Sequence, residues 1–297
     1  MRFQMLLRSR LGTPTRFGSG IPACHCDIGV AMDRPPPLEI LYRDDYLAVI
    51  NKPPGLLVHR SQIDRYETLN AMTLLRNQLG RRVYPVHRLD KPVAGVLAFA
   101  LDPQTARIVT ECFKERKTHK TYHAIVRGYT PEEITIDYAL KENLDPMTDR
   151  LKDPLKPAQS AITLLKTLAK GSLPYPVGRY PTARYSLVEL TPITGRKHQI
   201  RRHLKHIFHP ILGDTTHGDG RHNRFFRETL GIHQLLLIAS SLTFPHPVSG
   251  DPVTVNAPIS SDFGKALTQF NWPTELMKKA RPSSEFKDDP QALLIAP

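Results

Sequence analysis

The spacing of apolar residues changes several times along this chain from Leu38 onward, and each change marks an element. Leu38–Tyr42 and Tyr46–Asn51, split by the polar Arg43-Asp44-Asp45, predict a β-hairpin. Glu67–Leu79 shifts to helical spacing, with Leu69, Met72, Leu75 and Leu79 on one face and Gly80 as the stop. Gly95–Leu101 is an unbroken apolar run of strand length. Asp102-Pro103 then caps a helix through Lys117 that turns Ala106, Val109 and Phe113 inward. Tyr122–Arg127, Ser160–Thr167, Arg184–Leu190, Leu235–Leu242 and Val253–Asn256 read as further strands. Gly195 precedes a basic helix, Arg196–Ile207, with Ile200, Leu204 and Ile207 as its apolar stripe, and Ile259–Phe270 is a terminal helix. Strands outnumber helices and short turns join several of them. The expected fold is α+β, a largely antiparallel mixed sheet flanked by helices and loops.

The globular text runs over 37–276, as one domain. Before it, residues 1–36 carry five Arg and two acids with no sustained apolar period, and read as a disordered N-terminal extension. An Arg-rich, acid-poor start is also the mark of an organelle transit peptide, and Met32 could be the true initiator. No continuous apolar stretch makes it a secretory signal. Residues 141–158 are polar and spotted with proline, an excursion from the domain, and 277–297 read as a loose tail.

Composition narrows the function. In 297 residues, 41 Lys+Arg against 28 Asp+Glu leave a formal charge of +13, which points to a polyanionic partner, most commonly nucleic acid. The longest apolar runs are too short to cross a bilayer. Three cysteines, Cys24, Cys26 and Cys112, imply no disulfide framework and fit a reducing, cytoplasmic setting. Cys24-His25-Cys26 lacks the second ligand pair of a closed zinc site.

Three segments place polar groups where packing alone does not call for them. Val86-His87-Arg88-Leu89-Asp90 sets a cation and a carboxylate at the mouth of a buried strand. Lys120-Thr121-Tyr122 opens another strand behind a basic helix end. Thr194-Gly195-Arg196-Lys197-His198-Gln199-Ile200-Arg201-Arg202-His203 loads a helix start with cations, an arrangement that holds phosphates. Taken singly, each has a plainer meaning: a surface ion pair, a strand aromatic, a solvated basic face.

In this order the three segments resemble the motifs of the RluA-type pseudouridine synthase family, a likeness running from about Leu38 to Trp272. His87-Arg88-Leu89-Asp90 is similar to its catalytic motif, Lys120-x-Tyr122 to its tyrosine motif, and Thr194-Gly195-Arg196-x-His198-Gln199-Ile200-Arg201 to its arginine motif. Val58-His59-Arg60-Ser61, Gly178-Arg179-Tyr180-Pro181-Thr182-x-Arg184-Tyr185, Arg196-Lys197-His198-Gln199 and His217-Gly218-Asp219 resemble the TruC group of that family most. By that likeness the substrate is tRNA and the target is uridine 65. Two positions depart from the family pattern: Val93-Ala94 stand where it has Thr-Ser, and Ile238 where a histidine is common. Both changes replace polar groups by apolar ones and leave the three functional side chains in place.

The resemblance implies Asp90 as nucleophile, Arg201 as its cationic partner and Tyr122 as the group that stacks on the detached uracil, its hydroxyl being a second candidate for accepting the C5 proton. Isomerisation of uridine gains and loses no atoms, so no cofactor is expected. A stem uridine must leave its stack to reach a carboxylate, at a cost of roughly a few kcal/mol. Arg88 is placed to fill the vacated space. His87, Lys120, Arg196, Lys197 and Arg202 complete the expected RNA-binding set, and the family likeness implies a monomer with no obligate protein partner. Two other functions fit part of the sequence. A metal-dependent phosphodiesterase could draw on His198, His203, His206, His209 and His217, but no histidine pair in the basic helix has i, i+4 spacing, and Arg and Lys surround them. A non-catalytic RNA binder explains the charge and leaves Asp90 without a purpose.

Overall fold

A computed structural model of the chain describes residues 36–59, 69–142 and 157–278. Among them ten strands form one sheet: β1 (Glu39–Arg43), β2 (Leu47–Lys52), β3 (Tyr84–Pro85), β4 (Ala94–Ala100), β5 (His119–Arg127), β6 (Glu133–Asp137), β7 (Ile162–Leu173), β8 (Ala183–Pro192), β9 (Leu237–Pro245) and β10 (Pro252–Asn256). The order is β1-β2-β4-β9-β5-β8-β7-β6, with β3 paired to β4 and β10 to β9. The β4–β9 pairing is parallel and the others are antiparallel. Five helices pack on it: α1 (Ala71–Leu79), α2 (Pro103–Lys114), α3 (Gln199–His206), α4 (Gly220–Leu230) and α5 (Ser261–Gln269). The α+β architecture with a largely antiparallel mixed sheet is as the sequence predicts.

Alternate strand residues face opposite sides, and both sides are covered. Leu97, Phe99, Ala124, Val126, Val188 and Leu190 pack with Leu75 of α1 and Leu204 of α3. On the other face Val96 and Ala98 meet Val109 of α2, while Ile125, Leu187 and Ile238 meet Phe226 of α4 and Phe263 of α5. Burial on both faces explains why β4 reads as a continuous apolar run.

Several element boundaries differ from expectation. Leu69 lies outside α1 and is exposed, because Asn70 caps the helix by accepting the Thr73 N–H at 2.9 Å. Asp102 caps α2 as predicted, but the helix ends at Lys114, short of Lys117, and Arg116 takes a left-handed φ of 60°. Helix α3 starts at Gln199; Arg196, Lys197 and His198 form a turn before it, with His198 at φ 55°. Helix α4 and strands β3 and β6 are additional elements. A 3₁₀ turn at Thr274–Met277 crosses the expected boundary at 276. The predicted N-terminal extension (up to residue 35), the middle of the excursion at 143–156, and the tail from 279 lie outside the described residues. Among those described, no helix is long and apolar enough to span a membrane.

Candidate active site

A cavity of about 600 Å³ opens between the loop that enters β4, the end of α2, β5 and the start of α3. Its wall carries residues of all three sequence segments: His87, Arg88 and Asp90; Lys120 and Tyr122; and Arg196, Lys197, His198 and Arg201. Of the expected site residues only Arg202 lies off this wall; it lines a neighbouring cavity.

Asp90 sits in the loop that enters β4. The Val93 N–H donates to its carbonyl at 3.0 Å and closes that loop. Two residues on, Gly95 has φ 116°, and a Cβ there would stand 2.1 Å from the Ala239 carbonyl oxygen. Only glycine lets the loop run so close to β9, with Gly95 opposite Ala239 in the parallel register. The preceding pair in that register is Ala94 and Ile238, both buried. The two departures from the family pattern are therefore neighbours, and one apolar contact stands where two polar residues are expected.

Arg201 comes from the first turn of α3 and is 4% exposed. Its Nη1 donates to Asp90 Oδ2 at 3.3 Å, while Nε and Nη2 donate to the two oxygens of Asp214 at 2.7 and 2.8 Å. Burial raises the Asp214 carboxyl, but Arg201 and the backbone N–H groups of His217 and Thr216 outweigh it and hold the group below its ordinary value. Arg201 is in turn raised above its ordinary value, since both carboxylates overcome the effect of its burial. One guanidinium thus serves two acids: Asp214 orients it and Asp90 receives its free edge.

The turn before α3 is locked by Gln199. Its carbonyl oxygen accepts from the Thr194 hydroxyl at 2.6 Å and the Arg196 N–H at 3.0 Å. Its amide donates to the Ile162 carbonyl and the Thr163 hydroxyl. Thr194 and Gln199 therefore act as a clasp to β7, which aims Arg196 and Lys197 along the cavity rim. His198 faces the cavity with Nε2 3.8 Å from Asp90 Oδ2, and its Nδ1 lies 3.0 Å from His217 Nε2. Burial lowers both imidazoles, His217 to about 4, so the pair is neutral and one ring donates to the other. No three metal-ligating groups converge among the described residues.

Tyr122 lies on β5 at a bulge, where Ser240 of β9 is passed over between the pairs Thr121↔Ser241 and Tyr122↔Ala239. Ser240 fixes the irregularity through its hydroxyl, which donates to the Thr121 carbonyl at 3.0 Å. A bulge re-aims the side chain beside it. Burial and the Asp90 charge push the Tyr122 phenol above its ordinary value, so it meets a ligand as O–H. His87 is built into the fold: its Nε2 accepts the Ala98 N–H at 3.0 Å and its ring stacks on Phe113. Arg88 is exposed and makes no hydrogen bond or ion pair among the described residues.

Lys52 and Asp214 escape sequence reasoning. Lys52 ends β2 fully buried, and its ammonium donates to the carbonyls of Pro53, Leu56 and Lys91 at 2.8, 2.8 and 3.1 Å. It ties the Asp90 loop to the loop after β2. Burial pushes it down to about 7 against the pull of Asp90. The available signal is a lysine followed directly by Pro53-Pro54-Gly55. For Asp214 it is an acid set behind the apolar Ile211-Leu212-Gly213.

The family model described as RNA pseudouridylate synthase matches residues 46–206 of the chain, the stretch that carries Asp90, Tyr122 and Arg201. The chain belongs to that family, and is a pseudouridine synthase, an isomerase of uridine. Among its relatives, "tRNA pseudouridine synthase C" of Vibrio parahaemolyticus is 50% identical over 82% of this chain and 99% of that protein. The protein of the same name from Haemophilus ducreyi is 51% identical over 79% of this chain and 96% of its own length. The solved structure of human RNA pseudouridylate synthase domain containing 4 superposes with a TM-score of 0.59 at 28% identity, covering 78% of this chain and 93% of that one.

Proposed function

We propose that this enzyme converts a uridine of tRNA to pseudouridine, with Asp90 as nucleophile and the target base flipped out of its helix. The likeness of its motifs to the TruC group puts the target at uridine 65. One observation carries the reading: Arg201 Nη1 meets Asp90 at 3.3 Å, in a cavity roomy enough for a nucleoside and rimmed by cations. The names of the relatives support tRNA as the substrate.

The reaction breaks N1–C1′, turns the uracil, joins C5 to C1′ and moves the C5 proton away while N1 gains one. Asp90 forms the transient covalent bond, at C1′ or at uracil C6, that lets the base detach. Arg201 holds positive charge beside it throughout. Tyr122 stacks on the loose uracil; its hydroxyl, met as O–H, is the second candidate for taking the C5 proton, directly or through water. Arg88, exposed and unpaired, enters the space left by the flipped base, while Lys120, Arg196, Lys197 and Arg202 meet phosphates and His87 lines the wall. The enzyme acts as a monomer in the cytoplasm, through the domain at 37–276.

The test is to incubate purified enzyme with unmodified tRNA transcript and map pseudouridine chemically at single-nucleotide resolution. A single stop at position 65 is expected. A stop elsewhere overturns the position, and tRNA binding without any pseudouridine overturns the reaction.

A further inference from the structure

A second cavity, of about 290 Å³, lies against the first and shares with it the wall Gly195–Lys197. Lys141, Glu142, Gln159 and Arg202 form much of the remainder, so four cations face one carboxylate across it. We propose that this cavity seats a single RNA phosphodiester beside the flipped nucleotide, held by Lys141, Lys197 and Arg202 with the main chain at Gly195 closing on it. The proposal rests on the tRNA reading above and deepens it.

Three observations converge on that ligand. First, the side chains of Lys141, Lys197 and Arg202 make no hydrogen bond or ion pair among the described residues, although they line one concave site, and four cations against the single carboxylate of Glu142 leave an excess of positive charge that calls for an anion. Second, the site is preformed. Arg196 Nε donates to the Ser160 carbonyl at 3.1 Å, and Gln199 holds the Arg196 N–H at 3.0 Å, so the shared turn is fixed from both sides. Third, nothing within the chain calls for a glycine at 195. A Cβ there would meet no atom within 4 Å, and its φ lies outside the left-handed region. The open space at that position belongs to the two cavities, and a main chain without a side chain is what close approach by a phosphate needs. Three residues span at most about 10 Å, so an anion in the second cavity lies within one or two nucleotides of a base held in the first.

The experiment uses full-length tRNA assembled by ligation with one neutral methylphosphonate linkage, moved in turn through the two linkages on either side of the target uridine. Binding is measured for the wild type, Lys141→Ala/Arg202→Ala and Gly195→Ala, with melting curves to establish that the variants fold. At one linkage the methylphosphonate is expected to weaken the wild type about tenfold and leave the double variant, already weakened on all-phosphate tRNA, unchanged. The slope of log Kd against log salt should fall by about one for each cation removed. Gly195→Ala should bind about tenfold more weakly with an unaltered melting temperature. Equal losses in wild type and double variant at every linkage overturn the site, as does wild-type affinity in Gly195→Ala. Pseudouridine formation by the wild type on all-phosphate tRNA is read in parallel. Its absence defeats the functional reading and this one with it, whereas its presence without a coupled linkage defeats the phosphate site alone.

Discussion

Asp214 grips Arg201 with both carboxylate oxygens, at 2.7 and 2.8 Å, and so turns the third guanidinium nitrogen toward Asp90. Asp214 is 2% exposed, and its Oδ1 also accepts the N–H groups of Thr216 and His217. Removing one member of such a buried pair costs about 3–5 kcal/mol, since the other charge is left uncompensated. Asp214→Asn is expected to lower the melting temperature and to reduce kcat more than it changes tRNA affinity. Arg201→Lys keeps the charge and loses the fork, so it cannot serve two carboxylates at once. On the order of a hundredfold loss in kcat is expected for it, with Kd for tRNA within a few fold, read by single-turnover kinetics and filter binding.

Lys52 gives a pH signature. Its folded-state value of about 7 lies below the ordinary lysine value of 10.5, so the folded protein releases this proton over a window in which the unfolded chain still holds it. Below 7 both states are charged and the folded one bears the burial penalty. Between about 7 and 10.5 the unfolded state binds more protons, and stability from this group rises with pH. Lys52→Met removes the titration and strands the Pro53 and Leu56 carbonyls, at about 1–3 kcal/mol for each unsatisfied group, while the Lys91 carbonyl keeps the Gly55 N–H at 2.9 Å. Urea denaturation of both proteins from pH 7 to 10 should show the variant less stable throughout, by a margin that widens as pH rises.

Gly95 is held by sterics. The Ala239 carbonyl oxygen lies 2.1 Å from where a Cβ would stand, and the left-handed φ adds backbone strain. Gly95→Ala should break the β4–β9 pairing that delivers Asp90, and destabilise the fold by about 4 kcal/mol or more. Soluble yield and thermal melting check this; a variant that melts within two degrees of the wild type contradicts it.

The apolar pair Ala94 and Ile238 behaves as a unit, because the residues are register partners. Ile238→His alone buries an imidazole with no partner, at about 1–3 kcal/mol, and Ala94→Ser supplies a hydroxyl next to it. The double variant should be more stable than the sum of the single changes by at least about 0.5 kcal/mol. Strict additivity in a double-mutant cycle contradicts the contact.

Much of the fold is legible in the sequence because its signals are local. Two short apolar runs split by Arg43-Asp44-Asp45 announce β1 and β2, the all-apolar run announces β4, and Asp102-Pro103 announces α2 through a cap that the structure contains. The Asp90, Tyr122 and Arg201 segments stand out through resemblance, and the cavity brings them to one wall. What escapes is non-local. Helical spacing marks Arg201 as one more cation beside Ile200, while its burial depends on an acid 13 positions on. Lys52 ends an ordinary strand, and only the folded chain puts the Lys91 carbonyl against it. The cations at 196 and 197 extend the apparent helix because nothing in their spacing reveals the Gln199 clasp. Helix α4 carries its cap, Asp219, and its stop, Gly231, but buries Phe226 alone, which is too little apolar pattern to announce it.

The most direct measurement compares wild type and Asp90→Asn on the same tRNA, scoring pseudouridine by chemical mapping and affinity by filter binding. The substitution keeps the shape of the side chain and removes its nucleophilic charge. Loss of pseudouridine to the detection limit, with affinity within a few fold of the wild type, is the predicted result. Pseudouridine formed by Asp90→Asn at the wild-type rate would contradict the account.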